Sequence, residues 1–373
     1  MEKCRIPAYD TIRAFAVLMI VLDHAVMIGY KIYYASFLDV YTSMTTISKL
    51  FCFTMYEISR LGVPLFLMLT GALVLSKDFS TDENIGAFYK KNLLPLLILN
   101  EIWVCVFWIL FYLLEKNGMS FIYTEGSKLF FNKTEFIQQI TLQKRAFSPN
   151  MWYIPAIIGF YVFIPFVSLL AKHVYRWGGV LAISFLPFLI SDLNTIMRVE
   201  ALNFTFSSVL HLSFSGGIYG VYIVLGYYLS KIDLTRFPKY TPVFLISFLI
   251  VVLTCTVLYM ERSYHLNRPE KIFGGNDSLC QLMITVTIFL LAKYTKRNYI
   301  LELISKKSMG IYLFHYPLMI FLCYKIVGKR LYLNYGSSKF TIVLFVSTFI
   351  LSLLLTLLIP NNKIIRRYGF HIS

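Results

Sequence analysis

Tyr9 to Tyr30 reads YDTIRAFAVLMIVLDHAVMIGY, a stretch long and apolar enough to cross a bilayer that nevertheless holds Asp10, Arg13, Asp23 and His24. Ionisable groups inside a spanning helix are costly, so they read as functional by default. Arg13 and His24 are separated by eleven positions. At ~100° per residue they lie within about 20° of one helix face, offset by roughly 16 Å along the axis. One helix therefore aims both groups into one slot. Asp23 adjoins His24 but points about 100° away, so a side chain that orients the imidazole is expected from another span. Asp10 sits one turn before Arg13, where it either pairs with it or serves as an ordinary first-turn acid.

The rest of the chain has the composition of such a helix's neighbours. Of 373 residues, 58% are hydrophobic and 14% charged, and the mean hydropathy is +0.67, well outside the soluble range. The net charge of +16 does not point to nucleic acid, because the lysines and arginines fall in short clusters between apolar runs, a pattern of membrane orientation. Cys4, Cys52, Cys105, Cys255, Cys280 and Cys323 are scattered singly, with no CxxC pair, and read as small buried apolar groups. The histidines form no HExxH or similar cluster, so no metal site is expected. The short basic lead of Lys3 and Arg5 precedes an apolar run too long for a signal peptide, and the first helix is expected to be retained.

Apolar runs near twenty residues predict an all-α, polytopic membrane protein of about ten spans. They fall near 10–30, 60–76, 93–114, 150–171, 178–191, 213–230, 241–260, 278–293, 308–328 and 340–360. With the N-terminus inside, segments such as Lys90 and Lys91, Lys293 to Arg297, and Lys363 to Arg367 all face the cytoplasm, which places both termini there. No soluble domain can be cut out, so residues 1–373 read as a single transmembrane domain, with the connection at roughly 115–149 as a cap on the outer face. Gly216, Gly217, Gly220 and Gly226 give the sixth span a small-residue face suited to close helix packing. No internal repeat is visible that would signal an inverted-repeat transporter.

Several motifs in order resemble the membrane acyltransferase-3 family. Asp10, Arg13 and His24 match its D-x-x-R…H first helix. Leu61-Gly-Val-Pro-Leu-Phe-Leu-Met-Leu-Thr-Gly71 is similar to its "VPxFFxxSG" span. Phe88-Tyr-Lys-Lys-Asn-Leu-Leu-Pro95 occupies the place of its basic cytoplasmic motif. Met151-Trp-Tyr-Ile-Pro-Ala-Ile-Ile-Gly-Phe-Tyr161 resembles a segment common in the surface-polysaccharide branch, and Gly310-Ile-Tyr-Leu-Phe-His-Tyr-Pro317 matches the C-terminal "GIYLxHxP" stretch. Two departures stand out. The family's R-x-x-R loop is here Lys90-Lys91-Asn92, which keeps charge and loses the bidentate fork, and no fused esterase-like domain of the kind some members carry is expected.

The resemblance implies an integral O-acyltransferase of a bacterial plasma (inner) membrane. It would move an acetyl group from acetyl-CoA to a hydroxyl of a surface or lipid-linked glycan. Its partners would be acyl-CoA, the glycan acceptor and membrane lipids. In that reading His24 is general base or transient acyl carrier. Arg13, supported by Asp10, organises the donor with Lys90 and Lys91, and Trp152, Tyr153 and His315 contact the acceptor. Each has a plainer alternative: a satisfied histidine in a polar cavity for His24, a snorkelling arginine for Arg13, belt anchoring for Trp152 and Tyr153, and satisfaction of carbonyls freed by Pro317 for His315. Glu57, Arg60, Asn100, Glu101, Asp192, His211 and Lys325 are further polar groups in or beside spans that the sequence does not rank. A transporter of polysaccharide or lipid-linked sugar, or a scaffold subunit, are the rival classes.

Overall fold

The computed structural model describes residues 5–30, 37–117, 131–174, 184–202, 217–266, 275–327 and 338–371. Expectations resting on Lys3, Cys4, His211, Gly216 and the side chain of Lys325 lie outside the described residues. Helices account for the fold, and no strand occurs among the described residues. In chain order they are α1 (Pro7–Tyr30), α2 (Phe37–Ser43), α3 (Thr46–Ser59), α4 (Gly62–Val74), α5 (Asp82–Phe88), α6 (Leu94–Lys116) and α7 (Lys133–Ile140). There follow α8 (Tyr153–Val174), α9 (Leu186–Val199), α10 (Gly217–Lys231), α11 (Thr241–His265), α12 (Leu279–Ala292), α13 (Tyr299–Val327) and α14 (Ser338–Leu357). Two 3-10 turns, Pro149–Trp152 and Leu234–Arg236, and two π-helical turns, Tyr89–Leu93 and Ile365–Gly369, complete the described set.

Among the described residues, six stretches are long and apolar enough to cross a membrane: Pro7–Tyr30, Thr46–Val74, Asp82–Lys116, Pro149–Lys172, Thr241–His265 and Ser338–Leu357. Six of the ten expected spans thus meet that standard. Those expected at 178–191, 213–230 and 278–293 correspond to α9, α10 and α12, of 14, 15 and 14 described residues. The one at 308–328 is the C-terminal part of α13, whose 29 residues open with Glu302, Lys306 and Lys307. The expected second span also starts earlier than 60. Glu57 and Arg60 depress the local hydropathy, yet the chain is already helical from Thr46. Between α3 and α4 the helix breaks at Arg60 and Leu61. Pro64 explains the break, since it has no N–H for the carbonyl of Arg60 and its ring crowds that carbonyl.

The chain forms two compact units. The first comprises Met1–Val26, Ser43–Lys77 and Phe166–Ser305. Its core is the pairing of α4 with α10, whose backbones touch. A Cβ on Gly71 would lie 1.7 Å from the carbonyl oxygen of Ile223, and one on Gly226 would lie 1.9 Å from that of Met68. Only glycine allows an approach of this kind, which in an apolar solvent supplies dispersion where the hydrophobic effect does not act. Gly62 serves the same end at the start of α4, where a Cβ would stand 2.9 Å from the carbonyl of Ala16 on α1. Helix α11 packs along α3 and α12, with the Phe53 and Tyr264 rings 5.3 Å apart.

The second unit comprises Met27–Thr42, Asp78–Pro165 and Lys306–Ser373. Trp108 of α6 gathers Phe131, Phe136 and Phe147 at ring separations of 5.3, 5.0 and 4.8 Å, which pins the short helix α7 to α6. Trp103 of the same helix holds the C-terminal tail. Its indole N–H donates to the Gly369 carbonyl at 2.8 Å, and its ring lies 5.8 Å from that of Phe370.

Candidate functional site

His24 and Asp10 are both buried in α1, and Arg13 between them is half-buried. The His24 Nδ1 lies 2.9 Å from the carbonyl oxygen of Ile20, one turn back on the same helix. A carbonyl only accepts, so Nδ1 carries the hydrogen and the neutral ring presents its lone pair at Nε2. That is the tautomer a base or nucleophile requires. In a buried helical segment the i−4 carbonyl is within reach, so this contact holds the ring from the same helix.

Asp23 turns away from His24, as its phase requires. Its carboxylate accepts from the Ser59 hydroxyl at 3.2 Å and pairs with the Arg60 guanidinium at 3.4 Å. Both partners stand at the break before α4, so the Pro64 interruption delivers a hydroxyl and a cation to the residue beside His24. Arg60 is half-buried, and its charge reaches His24 as well as Asp23.

Asp10 is engaged by residues the sequence did not nominate. The Arg5 guanidinium grips the carboxylate with two nitrogens, Nε at 3.0 Å from Oδ2 and Nη2 on Oδ1. The Ser305 hydroxyl donates to Oδ1 at 2.6 Å. Arg13 lies within electrostatic reach of the same carboxylate. Arg5 precedes the helix, and the hydrogen bond to Asp10 holds its guanidinium above the ordinary arginine range. Asp10 thus fastens the start of α1 to Ser305, with Arg13 three residues further along. No local signal in the sequence announces Ser305, which is 295 positions away.

The remaining nominated residues belong to the second unit. Lys90 and Lys91 are exposed in the π-helical turn that joins α5 to α6, a backbone form frequent at functional sites. The Nη2 of Arg367, in the other π-helical turn, donates to the Lys90 carbonyl at 3.2 Å. Four cations, Lys90, Lys91, Arg366 and Arg367, are therefore gathered by two unusual turns. None of the four forms an ion pair among the described residues: Arg366 instead donates to Asn361 at 2.6 Å. The sequence read Arg366 and Arg367 only as topology markers. Their signal was visible afterwards in the missing R-x-x-R fork.

Trp152 ends the 3-10 turn Pro149–Trp152 and Tyr153 opens α8, with their rings 6.0 Å apart. Tyr153 lies 6.1 Å from the Tyr312 ring, and Tyr312 in turn lies 5.9 Å from His315. Tyr312 is the hub that brings the three together. Its hydroxyl donates to the Asn150 carbonyl, while the Asn150 amide donates to the Tyr312 carbonyl at 3.0 Å. His315 Nδ1 contacts the carbonyls of Tyr312 at 2.6 Å and Ile311 at 3.2 Å. The carbonyl that Pro317 leaves without a donor is that of Leu313, so these contacts are not the proline repair that the spacing allowed. No group of three or more His, Cys, Asp or Glu side chains suited to a metal occurs among the described residues.

A family model described as an acyltransferase domain matches residues 6–359. The match takes in Asp10, Arg13, His24, Lys90 and Lys91 and stops before the turn that carries Arg366 and Arg367. No curated protein and no solved structure matches the chain. With several apolar spans, an arginine and a buried histidine on its first helix, and a match over almost its whole length, the chain belongs to the membrane acyltransferase-3 family.

Proposed function

We propose that this protein is a single-domain O-acetyltransferase of a bacterial plasma membrane. It would use acetyl-CoA to modify a hydroxyl of a cell-surface or lipid-linked glycan, with ten spans and both termini in the cytoplasm. The observation that carries the reading is the His24 imidazole, which is buried and donates through Nδ1 to Ile20, so that Nε2 is the basic atom. In direct transfer, Nε2 takes the proton of the acceptor hydroxyl as its oxygen attacks the thioester carbonyl. The new C–O bond forms, the C–S bond breaks, and the proton passes to the departing sulfur. In the two-step form, Nε2 itself takes the acetyl group, releasing the thiol, and the hydroxyl then displaces it.

Arg13, with Asp10 beyond it, serves the donor. Lys90 and Lys91 take its phosphates, joined by Arg366 and Arg367, whose planar forks restore the bidentate geometry that lysine lacks. Trp152 and Tyr153 offer ring faces for a sugar, with His315 behind them.

The test is coenzyme A release from acetyl-CoA by the detergent-purified protein, wild type against His24→Ala, with and without glycan acceptors. Acceptor-stimulated release that falls by about 10²–10⁴ in His24→Ala is expected, the range lost with a general base. Release in the absence of acceptor would select the two-step form. No release with any acceptor from folded protein would overturn the reading in favour of glycan transport, which vesicle flux then measures.

A further inference from the structure

In the second unit, the segment after α14 makes a clamp of aromatic rings. Its π-helical turn, Ile365–Gly369, packs along α6. Phe370, which follows the turn, is buried 5.8 Å from the ring of Trp103 on α6 and 5.7 Å from that of Phe314 on α13. Those two rings stand 5.4 Å from each other, so the three close a triangle. Trp103 meets both phenylalanines nearly edge-on, with interplanar angles of 76° and 78°, the geometry that ring quadrupoles favour. The indole N–H adds a hydrogen bond to the Gly369 carbonyl at 2.8 Å. Trp103 stands nine positions after Leu94, where α6 begins, roughly 14 Å along the axis. Beside an apolar span at that depth, a backbone carbonyl needs a donor, and the indole gives the tail one fixed seat.

What the seat holds in place is charge. Arg366 and Arg367 lie in the turn just before it. The Arg367 Nη2 donates to the Lys90 carbonyl at 3.2 Å, and the Arg366 Nη1 donates to Asn361 at 2.6 Å. Two guanidinium groups are thereby brought to the turn of Lys90 and Lys91, where like charges repel. The printed attachments that oppose this repulsion are ring packing and hydrogen bonds to neutral groups. A framework that holds cations together in this way is matched by a ligand with several anionic oxygens, which planar guanidinium forks grip in pairs.

We propose that Phe370 is a positioning residue for the acyl donor: seated between Trp103 and Phe314, it sets Arg366 and Arg367 beside Lys90 and Lys91 to bind the donor's phosphates. The role rests on the acetyl-transfer reading. Phe370 itself touches neither donor nor acceptor in this arrangement and acts through the two arginines.

The test uses the full-length protein in detergent. Phe370→Ala removes the ring and leaves all four cations in the chain, and Phe370→Leu returns much of the lost volume. Both are also made together with Arg366→Gln and Arg367→Gln. The Michaelis constant and turnover for acetyl-CoA, the dissociation constant of coenzyme A and the thermal midpoint are measured for each. In the proteins that keep the arginines, trypsin release of the peptide that begins at Tyr368 reports whether the tail is seated.

Phe370→Ala is expected to raise the Michaelis and dissociation constants by about five-fold or more, the loss that follows when a pre-organised site is loosened. Turnover should stay within about two-fold, and the peptide should be released about ten-fold faster, as a locally opened segment is. Phe370→Leu should recover most of each change. Without the two arginines, Phe370→Ala should weaken donor binding no further. Unchanged donor constants in Phe370→Ala would overturn the proposal, and so would an equal further loss in the background that lacks the arginines. A collapsed melt in both Phe370 variants would also overturn it, since the ring would then be a folding element. A wild type that protects the peptide yet neither binds coenzyme A nor releases it from acetyl-CoA defeats the transfer reading, and the positioning role falls with it. That failure shows in the wild type alone.

Discussion

At His24 the hydrogen bond to Ile20 decides what the ring can do, because a carbonyl partner fixes which nitrogen holds the proton. The neighbouring pair of Asp23 and Arg60 has a different duty. Its two members belong to α1 and to the break before α4, and its charge stands beside the imidazole. Asp23→Asn and Arg60→Gln should therefore be non-additive. A double-mutant cycle on melting free energy is expected to give a coupling of about 0.5–3 kcal/mol, the range for residues in one network; additive losses would show that the pair is incidental. At the start of the helix, Arg5→Ala removes both guanidinium hydrogen bonds from the buried Asp10 carboxylate and leaves it the Ser305 hydroxyl and the nearby charge of Arg13. Stability should drop by about 1–3 kcal/mol, the cost of stranding a buried acceptor, and Arg5→Ala combined with Asp10→Asn should recover part of it. How much of this was legible differs from residue to residue. Helical phase placed Arg13 and His24 on one face and turned Asp23 aside, because periodicity is a local property. Ser305 and Ser59 were invisible, because what makes them partners is tertiary contact and not spacing.

At the scale of elements, two glycines of the resembling motifs carry opposite meanings. Gly71 closes the stretch that begins at Leu61, and its absent side chain is what admits Ile223. Gly159, within the stretch around Trp152, is exposed, with nothing within 4 Å of where a Cβ would stand. Gly71→Ala and Gly226→Ala should each destabilise by about 3 kcal/mol or more, since a methyl group would have to push two backbones apart. Gly159→Ala should be neutral or stabilising by up to about 1 kcal/mol, the helix preference for alanine. Thermal melts of the three variants in detergent check both statements, and a tolerated Gly71→Ala would show that the crossing is looser than described. The sequence named Gly226 as a packing glycine but could not name its partner. Hydropathy likewise found α4 and missed that the apolar stretch begins at Thr46, because Glu57 and Arg60 lower the local hydropathy ahead of the break.

For the molecule as a whole, charge placed outside the family match complements charge placed within it. Arg366 and Arg367 follow the matched residues 6–359 and are brought to Lys90 by the fold of the tail on Trp103. Replacing both arginines by glutamine should raise the Michaelis constant for acetyl-CoA at least five-fold with turnover nearly unchanged. Added salt should weaken donor binding in the wild type more than in the double variant, because exposed charges are screened. An unaltered Michaelis constant, with reduced binding to vesicles containing anionic lipid, would reassign the four cations to membrane headgroups. Composition and apolar runs sufficed to identify a multi-pass helical protein. Among the described residues six stretches reach a spanning length, and the helices at the other expected spans are shorter or open with charged residues.

The contact of α4 with α10 at Gly71 and Gly226 has one more consequence. Two backbones that touch cannot slide without a collision, so this pair behaves as a rivet. Any motion that admits or releases a substrate in the first unit must pivot elsewhere, and the interruption at Arg60 and Leu61, directly ahead of the riveted helix, is the joint the chain provides. The same joint holds the hand that grips Asp23. A bend there would loosen the residue before His24 first.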